Sequence, residues 1–315
     1  MYYKGLLKLS KQLKGDENIY LGIRPYGFHA GNMVPFVVYP NMLCEELLKK
    51  GIKPKFNFFI FINDWEQDKL DGPDPINYPF NIYPSKTTFQ HVYISKNKKM
   101  NIVDKWEPVI LKSVSDLKRK YKNISVKTVR NSSLRENPIM KKYLLRTISN
   151  SEGIAEILRK RTKKKILNDP LTYAIAVCPK CKFVGGKTTI VKDDYLNHYC
   201  KYCGKNYQDS YHKFDYWFYH KPSAIPRIEI FNIDLCITGA DHFMEGDFKI
   251  RKDLIKFFNA KINNLKVLYT PVVIGYNGEK MGKSKKNDVV ISPEKLRKML
   301  EKNKYSDVLR INEKP

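Results

Sequence analysis

The run from Lys55 to Asn63, KFNFFIFIN, constrains the fold more than any other stretch, because near-continuous apolarity over that length marks a strand buried on both faces of a parallel sheet. Upstream, Asn18 to Ile23 is a second short apolar run, and it ends in Gly22-Ile23-Arg24-Pro25-Tyr26-Gly27, the pattern of a strand entering a tight loop. Between the two, Met42 to Lys50 has helix-forming composition and stops at Gly51, while Pro35 and Pro40 predict a kinked or partly helical approach. The opening therefore reads β-loop-α-β. Ile228 to Ile237 and Lys266 to Ile274 repeat the buried-strand pattern around a helix-like Arg251 to Asn259. These patterns predict an α/β fold: a Rossmann-like parallel sheet interrupted by a basic, mostly helical insertion, with ligands where loops leave the carboxyl ends of strands.

The expected division is a first half of the sheet domain over 1–83, an insertion over 84–222, a second half over 223–290 and a tail over 291–315. Asp64 to Tyr83 is rich in Pro, Asp and Gly and reads as a loop, and about Ser95 to Lys165 reads as mostly helical. Within it Ser149-Asn150-Ser151-Glu152 has capping-box form, followed by Ile154, Ile157 and Leu158 at helical spacing. Lys and Arg number 58 against 32 Asp and Glu, a net charge of +26 that attracts a polyanion, so RNA is the expected large partner. Met1 to Gly15 lacks the apolar run of a secretory signal and no stretch is apolar enough to span a bilayer, so a cytoplasmic protein with no membrane partner is expected. The sequence leaves the oligomeric state open.

Four of the six cysteines form two C-x-x-C pairs, Cys178/Cys181 and Cys200/Cys203, able to present four thiolates to one tetrahedral Zn²⁺. Four protein ligands leave no open position, so the metal is expected to be structural; Cys44 and Cys236 sit in apolar runs as core residues. Directly after the first strand, Gly22, Gly27 and Gly31 let backbone approach a phosphate, and His29 and Asn32 can donate to phosphate oxygens. Far downstream, Gly278-Glu279-Lys280-Met281-Gly282-Lys283-Ser284 sets two lysines three apart in a Gly-flanked loop, suited to neutralising a leaving pyrophosphate.

The first of these segments resembles the HIGH signature, and the second the KMSKS signature, of the class I aminoacyl-tRNA synthetases, in the right order. Within that superfamily the chain most resembles the catalytic half of the class I lysyl-tRNA synthetases, with gaps, from Ile19 to Asn287. Asn63-Asp64-Trp65 falls where that family has an acidic-aromatic turn, and Arg227 to Asp234 leading into Gly239-Ala240-Asp241-His242 parallels another of its segments. The resemblance implies a ligase of protein biosynthesis that uses ATP and Mg²⁺ to activate an amino acid and passes it to tRNA. His29, Asn32, Lys280 and Lys283 would be catalytic; Gly22, Gly27, Gly31, Asp241, His242, Met281 and Ser284 would bind ATP, with Asp241 on the ribose. The amino-acid pocket would lie beside Ser223, Ala224 and Tyr269.

There are departures from the family pattern. One residue is missing between Gly27 and His29, Ala30 replaces a branched residue, and Gly282 replaces the first Ser of the lysine loop. Ser223-Ala224 stands where the family has an Asp-Trp pair, leaving a lysine substrate neither anion nor aromatic wall unless another carboxylate such as Glu229 or Glu245 reaches in. The amino acid is therefore expected to differ from lysine. No anticodon-reading domain is expected after Ser284, which opens two alternatives: transfer to a non-tRNA or modified-base acceptor, and a catalytically silent, zinc-containing RNA-binding paralogue.

Overall fold

The computed structural model describes residues 2–25, 28–69, 86–95, 97–161, 173–244, 246–281, 287–303 and 308–312. At its centre lie five strands, Asn18–Ile23 (β1), Asn57–Ile62 (β2), Ser125–Arg130 (β3), Leu235–Gly239 (β4) and Lys266–Thr270 (β5). Their spatial order is β5-β4-β1-β2-β3, and every pairing is parallel. This is a doubly wound sheet, and the order reverses between β1 and β4, which opens a crevice at their carboxyl ends.

Residues alternate between two cores. Leu21, Ile60 and Ile237 face the side covered by helices Tyr39–Leu48, Ile102–Lys120 and Pro293–Lys302. Tyr20, Phe61 and Cys236 face the other, covered by Ala224 and Ile228 of helix His220–Ile230. Burial on both faces is why β2 reads as continuous apolar sequence. The proline-bearing approach to the first long helix is a π-helical turn over Val34–Val38, consistent with Pro40 lacking the N–H that a regular ladder needs, and Gly51 follows the helix at φ +74°.

The structure differs from the sequence expectation in four places. β3, with helix Ile102–Lys120 ahead of it, belongs to the main sheet and not to an insertion over 84–222, so the excursion runs from 131 to 234. Residues 228–230 finish helix His220–Ile230, and only 235–239 form β4. The tail packs into the main core through Leu296, Leu300, Leu309 and Ile311, and Val308–Arg310 pairs with Val272–Ile274. Within the excursion, helices Pro138–Ser149 and Ser151–Arg161 are joined by an antiparallel pair, Ala174–Val177 with Asp215–Phe218. A three-stranded antiparallel ribbon, Gly186–Lys192, Tyr195–Cys200 and Asn206–Ser210, completes it, so this part is mixed where mostly helix was expected. No helix among the described residues is long and apolar enough to cross a membrane.

Candidate active site and metal centre

β1 delivers the chain to the crevice at Gly22 and Ile23, and the helix that follows starts at Ala30 with His29 as its N-cap. His29 Nδ1 accepts from Gly31 N at 3.1 Å and Asn32 Oδ1 accepts from His29 N at 3.3 Å, a reciprocal capping box. An accepting Nδ1 places the neutral ring's proton on Nε2, which makes that atom a donor. Gly31 is needed here, since an added Cβ would lie 2.8 Å from the His29 ring.

The descending stem of the lysine loop is fastened to this segment, and the ascending stem to strand Val272–Ile274. Ala30 N donates to Val289 O at 2.9 Å, and Met281 N donates to Val273 O at 2.8 Å. Asn287, fully buried, donates through Nδ2 to Asn277 Oδ1 at 2.7 Å, to Glu279 O at 3.2 Å and to Lys280 O at 3.4 Å, so one amide ties the descending stem to the ascending one. Gly275 leaves room for that amide, because a Cβ there would lie 2.7 Å from its nitrogen. Lys280 Nζ forms an ion pair with Asp241 Oδ2, in the first turn of helix Ala240–Met244 directly after β4. Burial pushes the Asp241 carboxyl up, but His242, 4.0 Å away, and Lys280 outweigh it and hold the group below the ordinary range. Burial pushes His242 down, partly offset by Asp241 and Asp247. Two segments far apart in sequence thus meet across the β1/β4 switch point.

The opposite wall is helix His220–Ile230. Ser223 Oγ donates to His220 O at 3.2 Å and Ala224 packs with Tyr20 and Phe61; both residues are buried. Tyr269 is half-buried on β5, on the same sheet face as Val267, which joins that core. Arg227 is wholly buried under the carboxyl ends of β2 and β3 and donates to Asn63, to Asn131 and to Ser223. Glu66, also buried, pairs with Arg24, and His220 Nδ1 lies 3.4 Å from it; burial alone would raise its carboxyl, but the Arg24 guanidinium and the contact with His220 bring it down to about 2.

The four cysteines converge as their spacing predicts. Sγ of Cys178 and Cys203 are 3.8 Å apart, those of Cys181 and Cys200 are 3.6 Å apart, and all four lie within 4.8 Å of one another. Zinc bonds of about 2.3 Å in tetrahedral geometry need sulfurs about 3.8 Å apart, so the cluster fits that ion. Its two halves repeat one geometry: Lys182 N donates to Cys178 O at 3.0 Å and Gly204 N to Cys200 O at 2.9 Å, with Lys182 at φ +58° and Gly204 at φ +67°. Burial pushes the Cys181 thiol up to about 12, and a bound dication opposes that by stabilising thiolates.

The sequence matches the family described as tRNA synthetases class I (K) over residues 6–306. The chain belongs to the class I tRNA synthetases. No curated protein matches it. Solved structures similar to it are synthetases at low identity. Tyrosyl-tRNA synthetase from Archaeoglobus fulgidus, complexed with L-tyrosine, is 15% identical with a TM-score of 0.44, covering 91% of this chain and 65% of its own. Tyrosyl-tRNA synthetase from Leishmania major, in complex with tyrosinol, is 12% identical with a TM-score of 0.45, covering 91% of this chain and 32% of its own. The putative arginyl tRNA synthetase from Campylobacter jejuni is 14% identical with a TM-score of 0.40, covering 99% of this chain and 71% of its own. The chain thus spans less than two thirds of the first two, and the assignment rests on the family match.

Of the residues that the class I signatures single out, His29, Asn32, Gly31, Asp241, His242, Lys280 and Met281 gather at the crevice, whereas Gly27, Lys283 and Ser284 lie outside the described residues, as does Glu245. Asn287, Arg227 and the Arg24–Glu66 pair act here without having been given a role from sequence. An Asn at the foot of a Gly-flanked loop was the one available signal, in Asn287.

Proposed function

We propose that this chain activates an amino acid with ATP and passes it to an RNA acceptor. The carboxylate oxygen attacks the α-phosphorus, the bond to pyrophosphate breaks, and an acceptor hydroxyl later displaces AMP from the acyl carbon. The supporting observation is the fastening of both signature segments across the switch point, with Ala30 bonded to Val289 and Lys280 on Asp241. In this reading Asp241 takes the ribose hydroxyls and His29 and Asn32 donate to phosphate oxygens. Lys280, with Lys283, covers the departing pyrophosphate, and Mg²⁺ supplies further charge neutralisation on the phosphates when bound.

The amino acid is smaller or less polar than lysine, or is one recognised through its acceptor. Ser223 is spent on Arg227, and Glu66 is already held by Arg24 and His220. Glu229 accepts from Tyr143 Oη and Lys261 N. Among these described groups a substrate ammonium would meet no spare anion, which costs several kcal/mol. Amino-acid-dependent exchange of pyrophosphate into ATP is expected, with lysine not giving the highest kcat/KM. Absence of exchange with every proteinogenic amino acid, with and without bulk tRNA, would overturn the activity; exclusive activation of lysine would overturn the pocket argument alone.

The cysteine cluster holds a structural zinc in this reading, since four thiolates close the coordination sphere. Elemental analysis should find about one zinc per chain, and Cys200→Ser should lose the ion and loosen the ribbon while leaving ATP binding in place. A metal-free native protein would refute this.

A further inference from the structure

The outer face of the cysteine ribbon has no place in the adenylation chemistry, and its composition is unusual for an uncovered sheet. Leu196, His198 and Cys200 turn inward and are buried, and Leu196 joins the core beneath that includes Met140 and Leu144 of helix Pro138–Ser149. The alternation that buries them turns Tyr195, Asn197 and Tyr199 outward. Tyr195 is 42% exposed and Tyr199 43% exposed, so both rings offer surface to solvent. Strand register adds a cation to each ring: Lys187 stands opposite Tyr199 and Lys192 opposite Tyr195. Between these two Lys–Tyr pairs, Asn197 pairs with Gln208, a row of amides able to donate and accept. None of these six side chains is acidic. Of the two acids in the turn beside them, Asp194 is paired with Lys141 at 2.5 Å and Asp193 is exposed at the end of the row. The next knuckle carries a further ring, Tyr202, 62% exposed.

We infer that this face is a stacking platform for single-stranded RNA. Two exposed aromatic rings on a sheet, each with a lysine opposite it in register and separated by amides, suit unpaired bases with a trailing phosphate backbone. A duplex hides its base faces and cannot use the rings. The lysines alone would attract an acidic peptide as well, and the rings decide for RNA, since a base stacks on them and a peptide carboxylate does not. The proposal rests on the reading that the acyl acceptor is an RNA, and it assigns that acceptor's unpaired segment to the ribbon.

The test uses the zinc-loaded full chain and a labelled single-stranded oligoribonucleotide, with a perfectly paired duplex of the same length as the control, followed by fluorescence anisotropy. Tyr195→Ala with Tyr199→Ala should weaken single-strand binding by about tenfold per ring removed, and the Phe substitutions should restore it, because stacking needs the ring and not the hydroxyl. Duplex binding should be unchanged in both. Lys187→Gln should lower the slope of log K against log salt by about one. Because both tyrosines are exposed, the melting temperature should hold, and pyrophosphate exchange should match the wild type. Unaltered single-strand binding in the double alanine variant would overturn the platform, as would equal losses for duplex and single strand or capture of an acidic peptide in preference to RNA. If exchange is absent from the wild type while the binding pattern holds, the adenylation reading fails and the platform stands.

Discussion

Lys280→Met should lower kcat for amino-acid-dependent pyrophosphate exchange by about two to three orders of magnitude, with the KM for ATP unchanged or lower. The split follows from the resting geometry. Lys280 is engaged with Asp241, the carboxylate proposed to take the ribose, so ATP must displace it before the ammonium can serve the phosphates. Removing the lysine abolishes a charge that acts as pyrophosphate departs, and at the same time releases the ribose site from a competitor. Asp241→Asn should do the reverse, raising the KM for ATP more than it lowers kcat, because the amide accepts less strongly from two hydroxyls. The pair is partly open to solvent, Lys280 being 59% exposed, so its own strength is modest and its removal should leave the melting temperature nearly unchanged. A Lys280→Met enzyme with wild-type kcat would exclude this lysine from the chemistry.

Much of the fold could be read in advance where burial alone dictates sequence. β2, flanked by strands and covered on both faces, has apolar residues at nearly every position, as a central strand of a parallel sheet must. β3 was hidden because it is the edge of the sheet: SVKTVR pairs on one side only, with Lys127 exposed and Arg130 held by Asp104 and Glu107 of helix Ile102–Lys120, so the strand passed for part of a basic, mostly helical stretch. β4 was misplaced because no Gly or Pro divides Ile228–Ile230 from Leu235. The break is made by Asn232 at φ +46°, a conformation that Asn tolerates and whose signal was available. The tail helix also carried its own signature, Ser292 ahead of Pro293 with Leu296 and Leu300 one turn apart.

The site divides in the same way. His29, Asn32 and the paired cysteines could be singled out because short-range spacing sets their local geometry, the capping box and the thiol cluster, whereas Asp241 was marked by the family resemblance alone. Asn287 and Arg227 were not, because their partners lie on other strands and loops and exist only after folding. Ser223 shows the difference most plainly: the resemblance set it beside the amino-acid pocket, and only the fold shows its carbonyl and hydroxyl accepting from Arg227 one helical turn on.

Replacing Arg227 by methionine should lower stability by about 2–4 kcal/mol, visible as a shift of the urea midpoint, and should also lower exchange activity. Arg227 is 0% exposed and its partners are neutral: Nε donates to Ser223 O at 2.9 Å, Nη2 to Ser223 Oγ at 3.3 Å, and Nη1 to Asn131 Oδ1 at 3.1 Å and to Asn63 Oδ1. The rings of Tyr20 and Phe61 lie 5.4 and 5.5 Å from the guanidinium carbon. Two effects oppose each other. Burial disfavours the charged form and pulls its pKa down, so removing the charge recovers some desolvation cost. Against that, methionine leaves the Asn131 oxygen and the Ser223 carbonyl buried without this donor, each at about 1–3 kcal/mol, and it forfeits both cation–π contacts. Asn63 is partly protected, since Asn131 Nδ2 still donates to it at 3.3 Å. The orphaned acceptors win because the fork is the only part of helix His220–Ile230 shown to bond both Asn63, at the end of β2, and Asn131, just past β3. Arg227→Lys should fall between wild type and methionine, as a single ammonium keeps the charge but cannot hold both amides and the serine at once. An unshifted urea midpoint in the methionine variant would show that desolvation, and not the lost fork, dominates at this position.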